Sequence, residues 1–359
     1  MNLDLIELLN YRNYSHTTLE FSPYFNVLTG PNGSGKTNLL EAIHLLANGE
    51  VKRGRRDAEA IKWNETFSWI RGEVSYEDGR IVKLVVQINS NGKDFSINGK
   101  IKTLKEYIGT FSVVSIFEDD EEIISGDPDK RREFLDKFII SIEPSYYSLI
   151  TRYRNVLVRR NRLLKEGTSD KRLIEALTEI LLKYGGEIIR SRDRFISIYN
   201  EYLARECKRI GFSIEIDIPE FSGDIEEKVS IYRKRFEASR KKEEVIGATL
   251  VGPHRDEVVI KMDGKDSRSF ASNGESRIIV FLIKLTQWEL IRSLKKYKPI
   301  FVVDEFLNKL DRNNVNLILE IIEEKSPQVF LSELVDIPIG KKGIIFSIEK
   351  GEILNEKTF

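Results

Sequence analysis

One cysteine, Cys207, in 359 residues excludes an intrachain disulfide and suits a reducing compartment. Three histidines, His16, His44 and His254, are scattered along the chain, so no zinc ligand set can be written from the sequence. No apolar run approaches the ~20 residues needed to span a bilayer; the longest clear run is "IIVFLI", Ile278 to Ile283. The N-terminal "MNLDLIELLN" carries acids where a signal peptide needs positive charge. These absences predict a soluble, cytoplasmic protein with no membrane partner. Net charge is also missing: 57 Lys and Arg balance 57 Asp and Glu, so no global field draws in nucleic acid. Any nucleic-acid surface must be a local patch. The 359 residues suggest two or three compact units.

The clearest positive signal is "LTGPNGSGKTNLLEA", Leu28 to Ala42. Gly30, Gly35, Lys36 and Thr37 satisfy G-x-x-x-x-G-K-[ST]. "FNVLTG" before them predicts a buried strand. The residues after them place Leu39, Leu40, Ile43, Leu46 and Ala47 at helical spacing. Gly30, Pro31, Asn32, Gly33, Ser34, Gly35, Lys36 and Thr37 are thus expected to cradle the phosphates of ATP. Glycines let backbone N–H groups turn toward an anion, and the helix N-terminus adds partial positive charge. Lys36 is expected on the β- and γ-phosphates and Thr37 on Mg²⁺.

Two later segments extend this chemistry. In "IFVVDEFLNKLD" the four residues Ile300 to Val303 predict a buried strand ending in Asp304, a carboxylate placed to hold Mg²⁺ through water. Glu305 follows, where a carboxylate can orient or deprotonate an attacking water. In "SFASNGESRIIVFLIKLTQWELI", Ser272 to Glu275 precede a strongly apolar helix. Ser272 or Asn273 is a natural N-cap, so an ordinary capped core helix explains the segment. A second phosphate-binding turn explains it too, one that reaches the nucleotide of another copy of the chain.

Between these motifs the pattern changes. "GRIVKLVVQI" and "DFSINGKIKT" predict antiparallel strands, with a tight turn at Asn98-Gly99. "FSVVSIF" predicts a further strand. From about residue 130 the chain reads as long helices broken at "GTSD", the second running for about forty residues through a "YGGE" that suggests a kink. "FSIEIDIP" predicts a strand and "DIEEKVSIYRKRFEASRKKEEVIG" another helix.

P-loop, serine-rich turn, strand with Asp-Glu, then "LNKLD" resembles the motif order of ABC-type ATPase heads. Within that class the chain resembles the RecF family of SMC-related bacterial DNA-repair ATPases, over essentially its full length. "LNYRNY", "FEDDEEIISGDPDKRREFLD" and above all "VGPHRDE" carry the likeness. Departures mark a divergent member: Glu118-Asp119 for Ser-Pro, Asn273 and Glu275-Ser276 where glutamines are common, Glu305 for Asp, and Asn308-Lys309 for Ser-Glu.

The resemblance implies an α/β fold: an ABC-type ATPase head, mixed sheet plus antiparallel β region, interrupted by a helical lobe. The head is expected at 1–129 and 247–359, the lobe at 130–246. It implies an ATP-gated homodimeric clamp on gapped or junction DNA, slow ATP hydrolysis with Glu305 as catalytic residue, and a RecR-type mediator partner. It also implies nucleotide contacts from Arg12, Asn13, Ser272, Gly274, Glu275 and Asp311, although a hairpin turn explains Arg12 and Asn13 equally well.

Three basic segments are candidates for DNA contact: "KRGRR" (Lys52 to Arg56), "RYRNVLVRRNRLLK" (Arg152, Arg154, Arg159, Arg160 and Arg162) and "RKRFEASRKK". In the second, tyrosines interleave with arginines, which suits backbone contact with base stacking. Two other function classes share the motif order. A transporter ATPase subunit would carry a switch histidine where "QVFLSE" offers Ser332. A rod-like SMC protein would need arms longer than a forty-residue helix of about 60 Å.

Overall fold

The computed structural model describes residues 1–52, 56–167, 170–219, 225–325, 328–332 and 342–359. Most of "KRGRR", Arg53 to Arg55, and the Thr168-Ser169 part of the helix break lie outside the described residues. The chain divides into two compact units, Met1–Glu121 with Ser272–Phe359, and Glu122–Ala271.

In chain order the first unit begins with β1 (Asn2–Tyr11), β2 (Tyr14–Glu20), β3 (Phe25–Thr29), α1 (Lys36–Asn48), β4 (Phe67–Ser75), β5 (Ile81–Asn89), β6 (Gly92–Ile97), β7 (Lys100–Lys102), α2 (Leu104–Tyr107) and β8 (Val113–Ile116). The second unit holds α3 (Glu122–Ser125), α4 (Pro128–Ile142), α5 (Ser145–Glu166), α6 (Lys171–Cys207), β9 (Ile214–Asp217), α7 (Ile225–Ile246), β10 (Val259–Met262), β11 (Lys265–Asp266) and α8 (Ser267–Phe270). The first unit then resumes with α9 (Asn273–Lys295), β12 (Ile300–Asp304), α10 (Arg312–Lys325), β13 (Val329–Ser332), β14 (Gly343–Glu349) and β15 (Glu352–Thr358).

Two sheets build the first unit. One is antiparallel, in the order β2-β1-β4-β5-β6-β7; β4 and β5 alternate buried and more open positions, the period of a sheet with one face on a core. The other runs β15-β14-β3-β13-β12-β8, parallel except for the β14–β15 hairpin. Its central strands read FNVLT, VFLS and IFVVD and are buried almost throughout, as parallel strands covered on both faces require. Helix α1 packs against strands of both sheets and carries Leu39, Leu40, Ile43 and Leu46 into their shared core. Gln328, one of three glutamines in the chain, ties the sheets together at depth. Its amide accepts from Leu3 N–H at 2.8 Å and donates to the carbonyls of Leu3 and Ser22. The expected turn at Asn98-Gly99 joins β6 to β7, both residues at positive φ.

The second unit packs α5 and α7 against α6, and a small antiparallel sheet, β11-β10-β9, completes it. That sheet moves a boundary. The lobe was expected to end at 246, yet β10 pairs residue for residue with β9, so the stretch from 247 through Ala271 belongs to the lobe. Strand pairing between partners forty residues apart outweighs the change of composition that suggested the earlier break. The lobe also begins earlier than expected, at Glu122 rather than 130.

The "YGGE" glycines lie inside an uninterrupted α6 and are buried. A Cβ at Gly186 would stand 2.9 Å from Val229 Cγ2 on α7, and one at Gly185 would meet Pro253 at 3.4 Å. They serve close packing of the α6 surface, which explains glycine here without a break. The lobe core is unusually polar. Arg192 is buried and donates to Asp136 at 3.0 Å and to the Pro253 carbonyl at 2.8 Å; Tyr146 donates to the same carboxylate at 2.8 Å. Arg160 is also buried, donating to Glu243 at 2.7 Å and Thr249 at 2.8 Å. Among the described residues no helix is long and apolar enough to cross a membrane.

Candidate active site

The parallel sheet orders the site. β13 lies between β3 and β12, with Ser332 aligned to Asp304 on one side and to Leu28 on the other. The C-terminal ends of three neighbouring strands therefore meet: β3 runs into the P-loop, β13 ends at Ser332 and β12 ends at Asp304. This edge of a parallel sheet is where α/β folds bind ligands.

The P-loop is shaped by its glycines. Gly30 has φ +142°, and a Cβ there would collide with the Ile348 carbonyl of β14. Gly35 has φ +123°, and a Cβ would lie 2.8 Å from Asn13 Nδ2 and 3.0 Å from the Tyr14 hydroxyl. Asn13 Nδ2 donates to the Ser34 carbonyl at 2.9 Å, Asn38 donates to Asn13 Oδ1 at 2.7 Å, and Tyr14 donates to the Gly35 carbonyl at 3.0 Å. Burial pushes the Tyr14 phenol far up, so it remains a donor. Asn13 thus buttresses the loop from behind. Arg12 sits at positive φ in the β1–β2 turn, and its guanidinium goes to the Glu59 carbonyl at 3.0 Å and to buried Glu41 at 3.3 Å. Of the two readings left open by the sequence, the structure shows the hairpin turn, with Asn13 bonded to the P-loop backbone.

Lys36 is buried, its ammonium donating to the carbonyls of Gly30 at 2.8 Å and Pro31 at 3.2 Å. Thr37 donates to Asp304 Oδ1 at 3.1 Å, and Ser332 donates to the same oxygen. The next residue, Glu305, stands in the left-handed region, φ +50°, which costs energy for a side chain with a Cβ. Its N–H is fixed by the Ser332 carbonyl and hydroxyl, both at 3.2 Å, and its carboxylate lies 3.8 Å from Lys36 Nζ. Ser332 is the residue sequence reading undervalued. The only sign of it is its position at the end of a buried strand beside the one carrying Asp304.

The Ser272 turn is exposed and forms a complete capping box. Glu275 N–H donates to Ser272 Oγ at 3.3 Å and the Glu275 carboxylate accepts from Ser272 N–H at 2.8 Å. A Cβ at Gly274 would meet nothing within 4 Å, so the turn presents open backbone to solvent. Asp311 is exposed and caps α10, accepting from Asn314 N–H at 3.0 Å; that bond holds its carboxyl below the usual range. Arg277, one turn beyond Ser272 and buried, donates to the Phe306 carbonyl and to Glu121, so α9 grips the loop that follows Glu305. Farther along α9, Lys284 contacts Asp120 at 3.0 Å, and Lys52 reaches the same carboxylate at 3.1 Å. Burial alone would raise Asp120, but the two lysines hold it well below the carboxylate range.

The profile of the RecF/RecN/SMC N terminal domain family matches residues 2–336. The DNA replication and repair protein RecF of Bacillus mycoides (strain KBAB4) is 34% identical over 334 residues, spanning 89% of this chain and 88% of the relative. The chain belongs to the RecF family. RecF of Bacillus cereus (strain AH820) is 33% identical over 350 residues, 94% of this chain and 93% of its own. A structure of the recombination mediator protein RecF-ATPrS in the RecFOR pathway superposes with a TM-score of 0.89 at 29% identity, covering 99% of this chain and 98% of that one. An Smc head bound to the C-winged helix domain of ScpA matches at TM-score 0.58 and 17% identity, a likeness of fold alone. RecF membership replaces the transporter reading, and the α/β head with antiparallel region and helices is the architecture RecF shares with SMC heads.

Proposed function

We propose that this RecF-type protein is an ATP-dependent DNA repair and replication ATPase, cytoplasmic, whose nucleotide gates a homodimeric clamp on gapped or junction DNA. The observation that carries the reading is the pairing of Thr37 with Asp304 and of Lys36 with the adjacent Glu305 at the start of α1. The residues fit a magnesium-bound triphosphate. Ser34 Oγ is buried with no hydrogen-bond partner among the described residues, Gly30 and Gly35 hold the positive φ angles that bend the loop around an anion, and a threonine hydroxyl beside a carboxylate is the hard-oxygen pair Mg²⁺ prefers. Family relatives solved as RecF-ATP support the choice of nucleotide.

Bound ATP and Mg²⁺ would supply a phosphoryl group whose transfer to water is driven by charge neutralisation at the β- and γ-oxygens. The chain supplies the rest. Lys36 exchanges its two carbonyl partners for phosphate oxygens. Thr37 and Asp304 would hold the metal, with Ser332 fixing the carboxylate. Glu305 takes the proton of the attacking water, aimed by a backbone that Ser332 pins in a strained conformation. The family likeness assigns further nucleotide contacts to Arg12, Asn13 and Asp311.

The exposed Ser272–Glu275 turn, with Gly274 open to approach, completes the nucleotide site of a second copy arranged head to tail. Nucleotide that binds only the closed pair favours closure by mass action, about 2.7 kcal/mol per site at 100-fold saturation. Hydrolysis is slow and opens the pair; a RecR-type protein acts as mediator partner.

The test is sedimentation with and without ATP, alongside phosphate release. Lys36→Met is expected to lose both ATP-driven dimerisation and turnover. Glu305→Gln is expected to keep dimerisation while turnover falls about 10²- to 10⁴-fold. Unchanged turnover in Glu305→Gln would remove Glu305 from its assigned role.

A further inference from the structure

The three basic segments meet different fates in the fold. In the first, Lys52 is half-buried and neutralised by Asp119 at 3.2 Å and Asp120 at 3.1 Å, and Arg53 to Arg55 lie outside the described residues. The third lies on α7, where seven basic residues share the helix with five acids. There Arg233 pairs with Glu179, and Arg240 with Glu175 at 3.0 Å and Glu244 at 3.7 Å. Helix α5 is different: six basic residues and a single acid, Glu166, at its last position.

The packing of α5 sorts those six. Tyr146, Ile150, Tyr153, Arg160 and Leu164 are buried and define the inner face. Tyr146 donates to Asp136 at 2.8 Å, and the Tyr153 hydroxyl meets His254 Nδ1 at 2.7 Å. Tyr146 and Tyr153 are therefore committed to the lobe core, while Tyr147, in the first turn of α5, remains exposed. On the outer side Arg152, Arg154 and Arg159 are exposed, with no ion pair among the described residues. Arg162 makes only a solvent-exposed pair with Glu166, easily exchanged for a phosphate. Arg152 and Arg159 stand two turns apart on one face, about 10 Å along the axis, and Arg162 extends the stripe to about 15 Å.

A stripe of guanidinium groups with no aromatic ring among them suits a phosphate backbone more than unstacked bases. Single strands are held by stacking platforms; the exposed ring on α5, Tyr147, stands about 140° around the helix from Arg152, off the arginine stripe. We propose that the outer face of α5, with Arg152, Arg159 and Arg162, docks on the backbone of duplex DNA. This rests on the DNA-binding reading above and names the surface. The stripe spans three to four base-pair steps at about 3.4 Å per phosphate along each strand.

The test is fluorescence anisotropy of a labelled blunt duplex and a labelled single strand, each with ATP, across a salt series. The variants are Arg152→Ala/Arg159→Ala and, as control, Lys241→Ala/Lys242→Ala on the acid-rich α7. The α5 pair is expected to weaken duplex binding and make the slope of log K against log salt shallower by about 1.8, two contacts at about 0.9 each. The α7 pair should leave the slope in place. An unchanged slope in the α5 pair, with wild type binding DNA, overturns the surface and leaves that face to an acidic protein partner. A loss confined to the single strand overturns the choice of duplex. If wild-type protein binds neither probe with ATP, the DNA reading falls, and this surface with it.

Discussion

Glu305 shows how much a single residue depends on its neighbours. Its left-handed backbone is held by two bonds from its own N–H to Ser332, and its carboxylate faces Lys36 at 3.8 Å. Nothing in "VVDEF" announces that strain; it arises because β12 ends beside β13 and the chain must turn away from the P-loop. Gly30 is the converse case, a residue whose absence of a side chain is used twice, for φ +142° and for the approach of the Ile348 carbonyl. Gly30→Ala is therefore expected to abolish ATP binding, measured by titration with a fluorescent nucleotide. Normal affinity in that variant would mean the loop does not need the close contact with β14.

Element by element, helix boundaries and strand types were largely legible, because apolar periodicity is a local property. The long α6 is the instructive exception. Its paired glycines look like a kink in sequence and act as a packing surface in three dimensions. A prediction separates the two positions. Gly185→Ala meets only ordinary contact at 3.4 Å, and alanine is favoured in a helix by about 1 kcal/mol, so the variant should melt higher. Gly186→Ala must push Val229 of α7 from 2.9 Å and should gain nothing or melt lower. Thermal unfolding of both variants decides it; equal gains would mean that α7 yields freely.

For the whole molecule, pH should act through the lobe. His254, in the "VGPHRDE" loop, meets the Tyr153 hydroxyl through Nδ1, and its Nε2 lies 3.3 Å from the Thr249 carbonyl. Burial drives its pKa down to about 4, against some help from Thr249, and Arg255, Arg132 and Arg192 push the same way as burial. The unfolded chain therefore binds a proton that the folded one refuses between about pH 6.5 and 4. The contribution is complete above pH 6.5 and is lost as pH falls toward 4, at most about 3 kcal/mol. Melting curves of wild type should drop through that window, and His254→Gln should show a shallower fall. Identical pH profiles would remove His254 as the cause. Cys207 adds no such sensitivity, since burial pushes its thiol up to about 11.

The P-loop, the apolar strand with its terminal carboxylate and the capped helix at Ser272 were determined by sequence alone, because each rests on short-range causes: glycine torsions, a helix N-terminus, a side chain bonding three residues away. The tertiary structure decided what the separate segments do together. It bonded Ser332 to both Asp304 and Glu305, gave the stretch after 246 to the lobe by pairing β10 with β9, and turned Tyr146 and Tyr153 of α5 inward while leaving Arg152 and Arg159 in solvent. Those outcomes depend on strand order and on which helix face meets a neighbour, quantities set by contacts tens to hundreds of residues apart.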